Sequence, residues 1–189
     1  MTEESPAFRY PAARERVRDG ADKIGCDALD QFIRDAGRRP GKELRVSRQA
    51  PLPEPIADRL AARDAVVRRA VRLIDDRPVC VETSYYPADL AAGTELESAR
   101  DIPRGTISVL AEHGHPQVGY RDEVAAHVLD APEAHDLEAA AGTPALNVVR
   151  TVWSRDRVLR VTTTVTPMGG DLVLCYDIGA PAPVGDRPG

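Results

Sequence analysis

The sequence predicts an α+β fold: a mostly antiparallel sheet with helices packed on it, built from two related helix-hairpin units. Three observations predict it. Val66 to Pro87, VVRRAVRLIDDRPVCVETSYYP, is rich in Val, Ile, Thr and Tyr and is broken once, by Asp75, Asp76 and Arg77 before Pro78. It reads as two strands joined by a tight turn. Ala131 to Pro167 echoes Pro53 to Pro87: each is a Pro-Glu helix start, a short helix, VVR opening a strand, a turn containing Asp-Arg, and a second strand ending in proline. Leu172 to Ile178, LVLCYDI, supplies a further strand, expected to adjoin one of the hairpins.

Composition bounds the function. The chain has 189 residues, enough for one domain with a proper core. It is 42% hydrophobic and 29% charged, which makes it globular rather than disordered. A net charge of -5 is the wrong balance for a nucleic-acid binder, so no direct DNA contact is expected. No apolar run spans a membrane, and MTEESPAFRYPAARERV has no apolar signal core. The three cysteines are scattered and odd in number, which fits free thiols in a reducing cytoplasm.

In chain order, residues 1–25 read as a solvated arm broken by Pro6 and Pro11. Cys26 to Ala36 gathers Leu29, Phe32 and Ile33 on one side, as in an amphipathic helix stopped by Gly37. Lys42 to Ser47 is a strand, the prolines at 51, 53 and 55 make a bend, and Pro55 starts a helix through Arg63. After the hairpin, Ala88 to Arg100 is a charged connection. Pro103 to His113 is a helix entered through Gly105 and Thr106 and closed by Gly114. Val118 to Leu129 is a strand with Val118, Tyr120, Val124 and Val128 in phase. Asp130 caps a helix through Ala140, with Gly142 ending it. The domain is therefore 26–179, and 180–189 is a disordered tail.

Alternation divides the central hairpin into two faces. Val67, Val71, Leu73, Val79, Val81 and Tyr85 form a core face; Arg68, Arg72, Cys80, Glu82 and Ser84 form a polar one, with Arg69 pointing the other way. If Ile74 pairs with Pro78 across a three-residue loop, Ala70 lies opposite Glu82 and Arg72 opposite Cys80. Arg72 and Glu82 are then diagonal neighbours. The commoner reading of such a face is a solvated one. The sharper reading is a floor for an anionic small molecule, with Arg72 as bidentate donor.

Other motifs point less far. His113 and His115 lack a third metal ligand in view, so neither a metal nor another cofactor is expected. His127 and His135 read as surface residues without partners. Cys80 lacks a nearby His and reads as a small hydrophobe, as does Cys175; Trp153 reads as core. No Gly-rich phosphate loop is present.

The ordered set GRRPGKELRVS, PEPIADRLA, VVRRAVRLIDDRPVCVETSYYP, PRGTISVLAEHG, PEAHDLEAAAGTPALNVVRTVWSRDRVLRV and LVLCYDI resembles the UTRA domain. That is the effector-binding domain of GntR-type bacterial regulators of the HutC subfamily. The resemblance covers roughly Cys26 to Gly179. It implies a chorismate lyase-like fold with a small-molecule pocket between sheet and helices. Relatives bind an anionic group with an R-x-R pair before the hairpin turn. Here Arg72 matches the second arginine, Ala70 fills the first position, and Arg68 is nearby. Glu82 matches the acidic residue of the returning strand. Thr106 matches a hydroxyl residue at the next helix start. Tyr120, Arg121 and, on the last strand, Tyr176 complete the implied ligand set, with Glu123 beside them, and Ser84 joins it from the polar face of the hairpin. The resemblance implies a carboxylated or phosphorylated metabolite as ligand and a homodimer. The segment before Cys26 is too short for the family's winged helix-turn-helix, so a stand-alone sensing domain is expected, pairing with a full-length GntR-type regulator or sequestering a metabolite. The alternative implied by the fold is a cofactor-independent lyase-like enzyme with Glu82 as acid or base.

Overall fold

The computed structural model describes residues 8–11, 28–169 and 172–175 of the chain. Eight strands and five α-helices occur in the order β1 (Phe8–Pro11), α1 (Ala28–Asp35), β2 (Pro40–Gln49), α2 (Glu54–Leu60), β3 (Ala65–Ile74), β4 (Arg77–Pro87), α3 (Ala88–Ala91), α4 (Thr106–Glu112), β5 (Gly119–Val128), α5 (Ala131–Asp136), β6 (Pro144–Trp153), β7 (Val158–Pro167) and β8 (Leu172–Cys175). The main sheet has six antiparallel strands in the order β2-β3-β4-β7-β6-β5. The predicted α+β class and the two helix-hairpin units are both present. The first unit is β2-α2-β3-β4 and the second β5-α5-β6-β7. They meet where β4 pairs with β7, with Thr83 opposite Thr163 at the join.

The repeat extends to an irregularity. The register shifts between Arg72 and Leu73 in the first hairpin and between Val152 and Trp153, eighty residues later, in the second. Val79 and Leu159 are the extra residues of these two bulges. A bulge puts neighbouring side chains on one side of the strand and re-aims the residues beyond it. Val79 and Cys80 accordingly pack together with Ile74, rather than Val79 sharing the side of Val81 as alternation predicts. The VVR echo is looser: it opens β3 but lies in the middle of β6.

The first turn is shorter than the sequence predicts. Ile74 pairs with Arg77, not Pro78, across Asp75 and Asp76, whose φ values of 51° and 66° are both left-handed. Two-residue hairpin loops of this hand match strand twist, and Asp tolerates the conformation. The Val79 bulge then restores the expected register, Arg72 opposite Cys80 and Ala70 opposite Glu82. Asp75 also accepts from the Arg39 N–H at 2.8 Å and the Arg38 guanidinium at 2.7 Å. The Arg39 N–H first, and then Arg38, hold its carboxyl below the usual range. A depressed folded pKa stabilises above the unfolded value of about 3.9 and is lost as pH falls through the folded one. Asp75→Asn should therefore lower the melting temperature at pH 7, and the gap to wild type should narrow as the pH falls below the unfolded value. A gap independent of pH contradicts this linkage.

Helices α2 and α5 cover one face of the sheet. Leu52, Ile56 and Leu60 pack on Ala65 and Val161, and Leu129, Ala134 and Leu137 pack on Val71, Val81 and Val165. Asp130 and Glu133 form a reciprocal capping box at the start of α5. That helix ends at Asp136, short of the predicted Ala140, and Glu138 has a left-handed φ of 51°. Arg69 bonds to Asp136 on this side, opposite the polar face as predicted. His127, expected to lack a partner, lies 2.7 Å from Glu133.

The opposite face is covered too, which overturns the solvated reading. Arg68 and Arg72 are each 6% exposed and Ser84 is 3% exposed. At one end lie α1 and a small parallel sheet of β1 and β8; at the other lie α3, a 3-10 turn at Glu95–Glu97 and α4. Two predictions change with this arrangement. Phe8 and Tyr10 are buried in β1, so the N-terminal segment is not simply a solvated arm. Strand β8 pairs with β1 and not with a hairpin. The charged connection after β4 contains α3 and the 3-10 turn. The tail after Ala180 lies outside the described residues.

Candidate functional site

A polar row crosses the covered face. Arg68 of β3 pairs with Ser84 of β4, Ser84 with Thr162 of β7, Thr162 with Arg150 of β6, and Arg150 with Asp122 of β5. Register alone places these side chains side by side. The Ser84 and Thr162 hydroxyls lie 2.8 Å apart. The Arg150 guanidinium donates to both Asp122 oxygens, at 2.7 and 2.9 Å, and stacks 4.5 Å over the Tyr120 ring. At the far end Arg68 donates to the carbonyls of Leu96, Ser98 and Arg100 at 2.9, 2.7 and 3.0 Å. Burial pushes its pKa down, opposed by Tyr86 and Asp101.

Two clusters flank the row. On the first-unit side, Arg72 donates to Asp30 of α1 at 3.2 Å and to Glu82 at 3.3 Å, while Lys42 bonds to Asp101 at 2.9 Å. On the second-unit side, the Tyr86 hydroxyl donates to Thr106 Oγ1 at 2.9 Å and Arg160 Nη1 donates to the same oxygen at 3.2 Å. Alternation from Thr162 puts Arg160 on this side opposite Val152, and the bulge brings Leu159 to the same side against Tyr86. Arg160 has no ion pair within 4 Å among the described residues, and its Nε is buried without a hydrogen-bond partner. Burial alone lowers its pKa, but Tyr86 and Glu82 outweigh burial and hold it raised, so the group stays charged.

The structure brings together Arg72, Glu82, Ser84, Thr106 and Tyr120 from the predicted set. Arg68 lies in the row, but its guanidinium holds three backbone carbonyls. Arg121 is exposed and out of phase, opposite Thr151, with its neighbour Glu123 bonded to Arg59 of α2. It does not join the site. Tyr176 lies outside the described residues. Cys80 is 2% exposed among apolar side chains and serves as packing. Sequence reasoning missed Tyr86, Arg150, Arg160, Thr162 and Asp30. The signal for three of them was the repeat itself: aligning β7 against β4 puts Arg160 and Thr162 in phase with Glu82 and Ser84, and Arg150 falls opposite Thr162.

A cavity of about 500 Å³ lies on the other face, between Val71, Leu73 and Ala134, with exposed Glu43 and Arg45 at its mouth. Beside it, the ion pair of Arg69 with Asp136 ties α5 to the sheet. The cavity contains none of the convergent groups above.

The UTRA domain family matches residues 35–168. The chain belongs to that family. Solved structures agree on the fold. The UTRA chain aligns with PhnF from Mycobacterium smegmatis at 19% identity and TM-score 0.73, covering 94% of this chain and 74% of that one. It aligns with the ligand-binding domain of a GntR-family regulator from Bordetella bronchiseptica at 21% identity and TM-score 0.60, covering 70% and 85%. It aligns with the C-terminal domain of the histidine utilization repressor from Pseudomonas syringae pv. tomato at 22% identity and TM-score 0.60, covering 70% and 94%. No curated protein matches the sequence. The UTRA membership expected from the sequence is thereby shown, and the solved structures share its fold. No helix among the described residues is long and apolar enough to cross a membrane.

Proposed function

We propose that this UTRA domain senses a small carboxylated or phosphorylated metabolite, bound over the polar row between the sheet and the segment from Ala88 to Glu112. The row carries the reading. A chain selected only to fold gains nothing by burying Arg68 and Arg72 and half-burying Arg150 and Arg160 beside them, where apolar side chains would stabilise it more. Such concentrations of desolvated charge belong to binding sites. The relatives' roles as regulator domains support sensing rather than turnover. Titration with benzoate and with inorganic phosphate tests the pocket. Saturable binding of either, tracked by amide chemical shifts on β4, β6 and β7, is expected. Shifts confined to the opposite face contradict it.

The domain acts as a homodimer in this reading, alone or joined to a full-length GntR-type regulator. Strand β5 supports this. Among the described residues it pairs only with β6, and Val124 and Val128 are 55% and 59% exposed, with Leu146 beside them. An unprotected apolar edge strand is a template for another strand. Val124, Ala126 and Val128 are palindromic about Ala126, so an antiparallel pair of β5 strands sets Val124 of one copy against Val128 of the other. The double variant Val124→Lys, Val128→Lys should sediment as a monomer, with the dissociation constant raised about 100-fold or more, since like charges directly opposite repel. An unchanged dimer contradicts this surface.

A further inference from the structure

We propose that the anion seat of this pocket lies in the second unit, on Arg160 and Thr106, rather than on Arg72, and that it takes a single carboxylate. This rests on the sensing pocket proposed above and names its ligand chemistry.

The two units offer related positions for an arginine beside the bulge. In the first, Arg72 stands opposite Cys80; in the second, Val152 stands opposite Arg160. The surroundings differ. Arg72 is held by two carboxylates, Asp30 and Glu82. A ligand anion there must compete with both. Arg160 has no carboxylate within 4 Å among the described residues; its buried Nε, like that of Arg72, has no hydrogen-bond partner, so the two arginines differ in their ion pairs alone. The bond of Arg160 to Thr106 decides the rest. Thr106 Oγ1 accepts from both Tyr86 and Arg160, which occupies its two lone pairs. The Thr106 hydroxyl hydrogen is left to donate. A guanidinium and a hydroxyl donor side by side match one carboxylate.

The charge balance limits the ligand. Arg68, Arg72, Arg150, Arg160 and Lys42 face Asp30, Glu82, Asp101 and Asp122 around the site. Among the described residues one positive charge is in excess. A carboxylate neutralises it, whereas a phosphate monoester, with a charge of roughly -1.5 to -2 at pH 7, overshoots.

The test is titration of the full chain at pH 7 with benzoate and with inorganic phosphate, read by calorimetry and by the Nε–Hε resonances of the arginines. Benzoate should bind at least tenfold more tightly than phosphate and shift the Arg160 Nε–Hε signal most. Arg160→Gln and Thr106→Val should weaken benzoate, with the Arg160 loss exceeding that of Arg72→Gln by tenfold or more. The wild-type resonance keeps the test valid if Arg160→Gln does not fold. Benzoate binding with the larger shift and loss at Arg72 overturns the seat but leaves the sensing pocket standing. Tighter binding of phosphate overturns the single-charge ligand. Binding of neither anion overturns the pocket and the seat together.

Discussion

Arg68→Ala is expected to lower unfolding stability by about 2–3 kcal/mol, because it removes charge-assisted bonds to three carbonyls and leaves the buried Leu96 acceptor unpaired. The arginine ties the strand to the 3-10 turn through Leu96 and to the chain beyond it through Ser98 and Arg100. Leu96 is itself fully buried against Tyr86, Val109 and Leu159. Loss of the tie should therefore loosen the whole cover of the polar face. Equilibrium urea unfolding gives the magnitude, and limited proteolysis between Leu96 and Arg104 should speed up in parallel. Arg68→Lys keeps the charge but not the fork of donors, so it should recover only part of the loss. A change below about 1 kcal/mol in the alanine variant contradicts the tie.

Leu159→Ala should cost about 3 kcal/mol, within the usual 2–5 for a buried leucine. Leu159 has no exposed surface and packs against Tyr86 and Val152 at the bulge. Little of the gap can collapse, because the bulge backbone is fixed by pairing on both sides. Its counterpart Val79 is smaller, so Val79→Ala should cost less. The leucine variant should also weaken anion binding, since Leu159 packs against Tyr86, which bonds to Thr106. Wild-type stability in Leu159→Ala contradicts the packing of this bulge.

Much of the fold was legible because it rests on local chemistry. Pro78 and the aspartates mark a turn, alternation marks strands, and the echo of Pro53 to Pro87 marks a second unit. The diagonal contact of Arg72 with Glu82 came from register. What failed depended on distant covering. Alternating Arg, Glu and Ser look the same whether water or α4 lies above them, so the buried polar face was not readable from β3 and β4 alone. Strand β5 misled in the opposite sense: Val124 and Val128 alternate like core residues, yet both are exposed. Bulges have no strong sequence mark, so the direction of Val79 and Leu159 emerged only from pairing.

The most direct measurement is native mass spectrometry of the freshly purified chain, before and after incubation with a deproteinised cell extract, with denaturation to release and identify what is bound. A single small carboxylated or phosphorylated molecule per chain is the predicted result. A chain that carries nothing when purified, and takes up no anionic metabolite from the extract, contradicts a sensing pocket on the polar face.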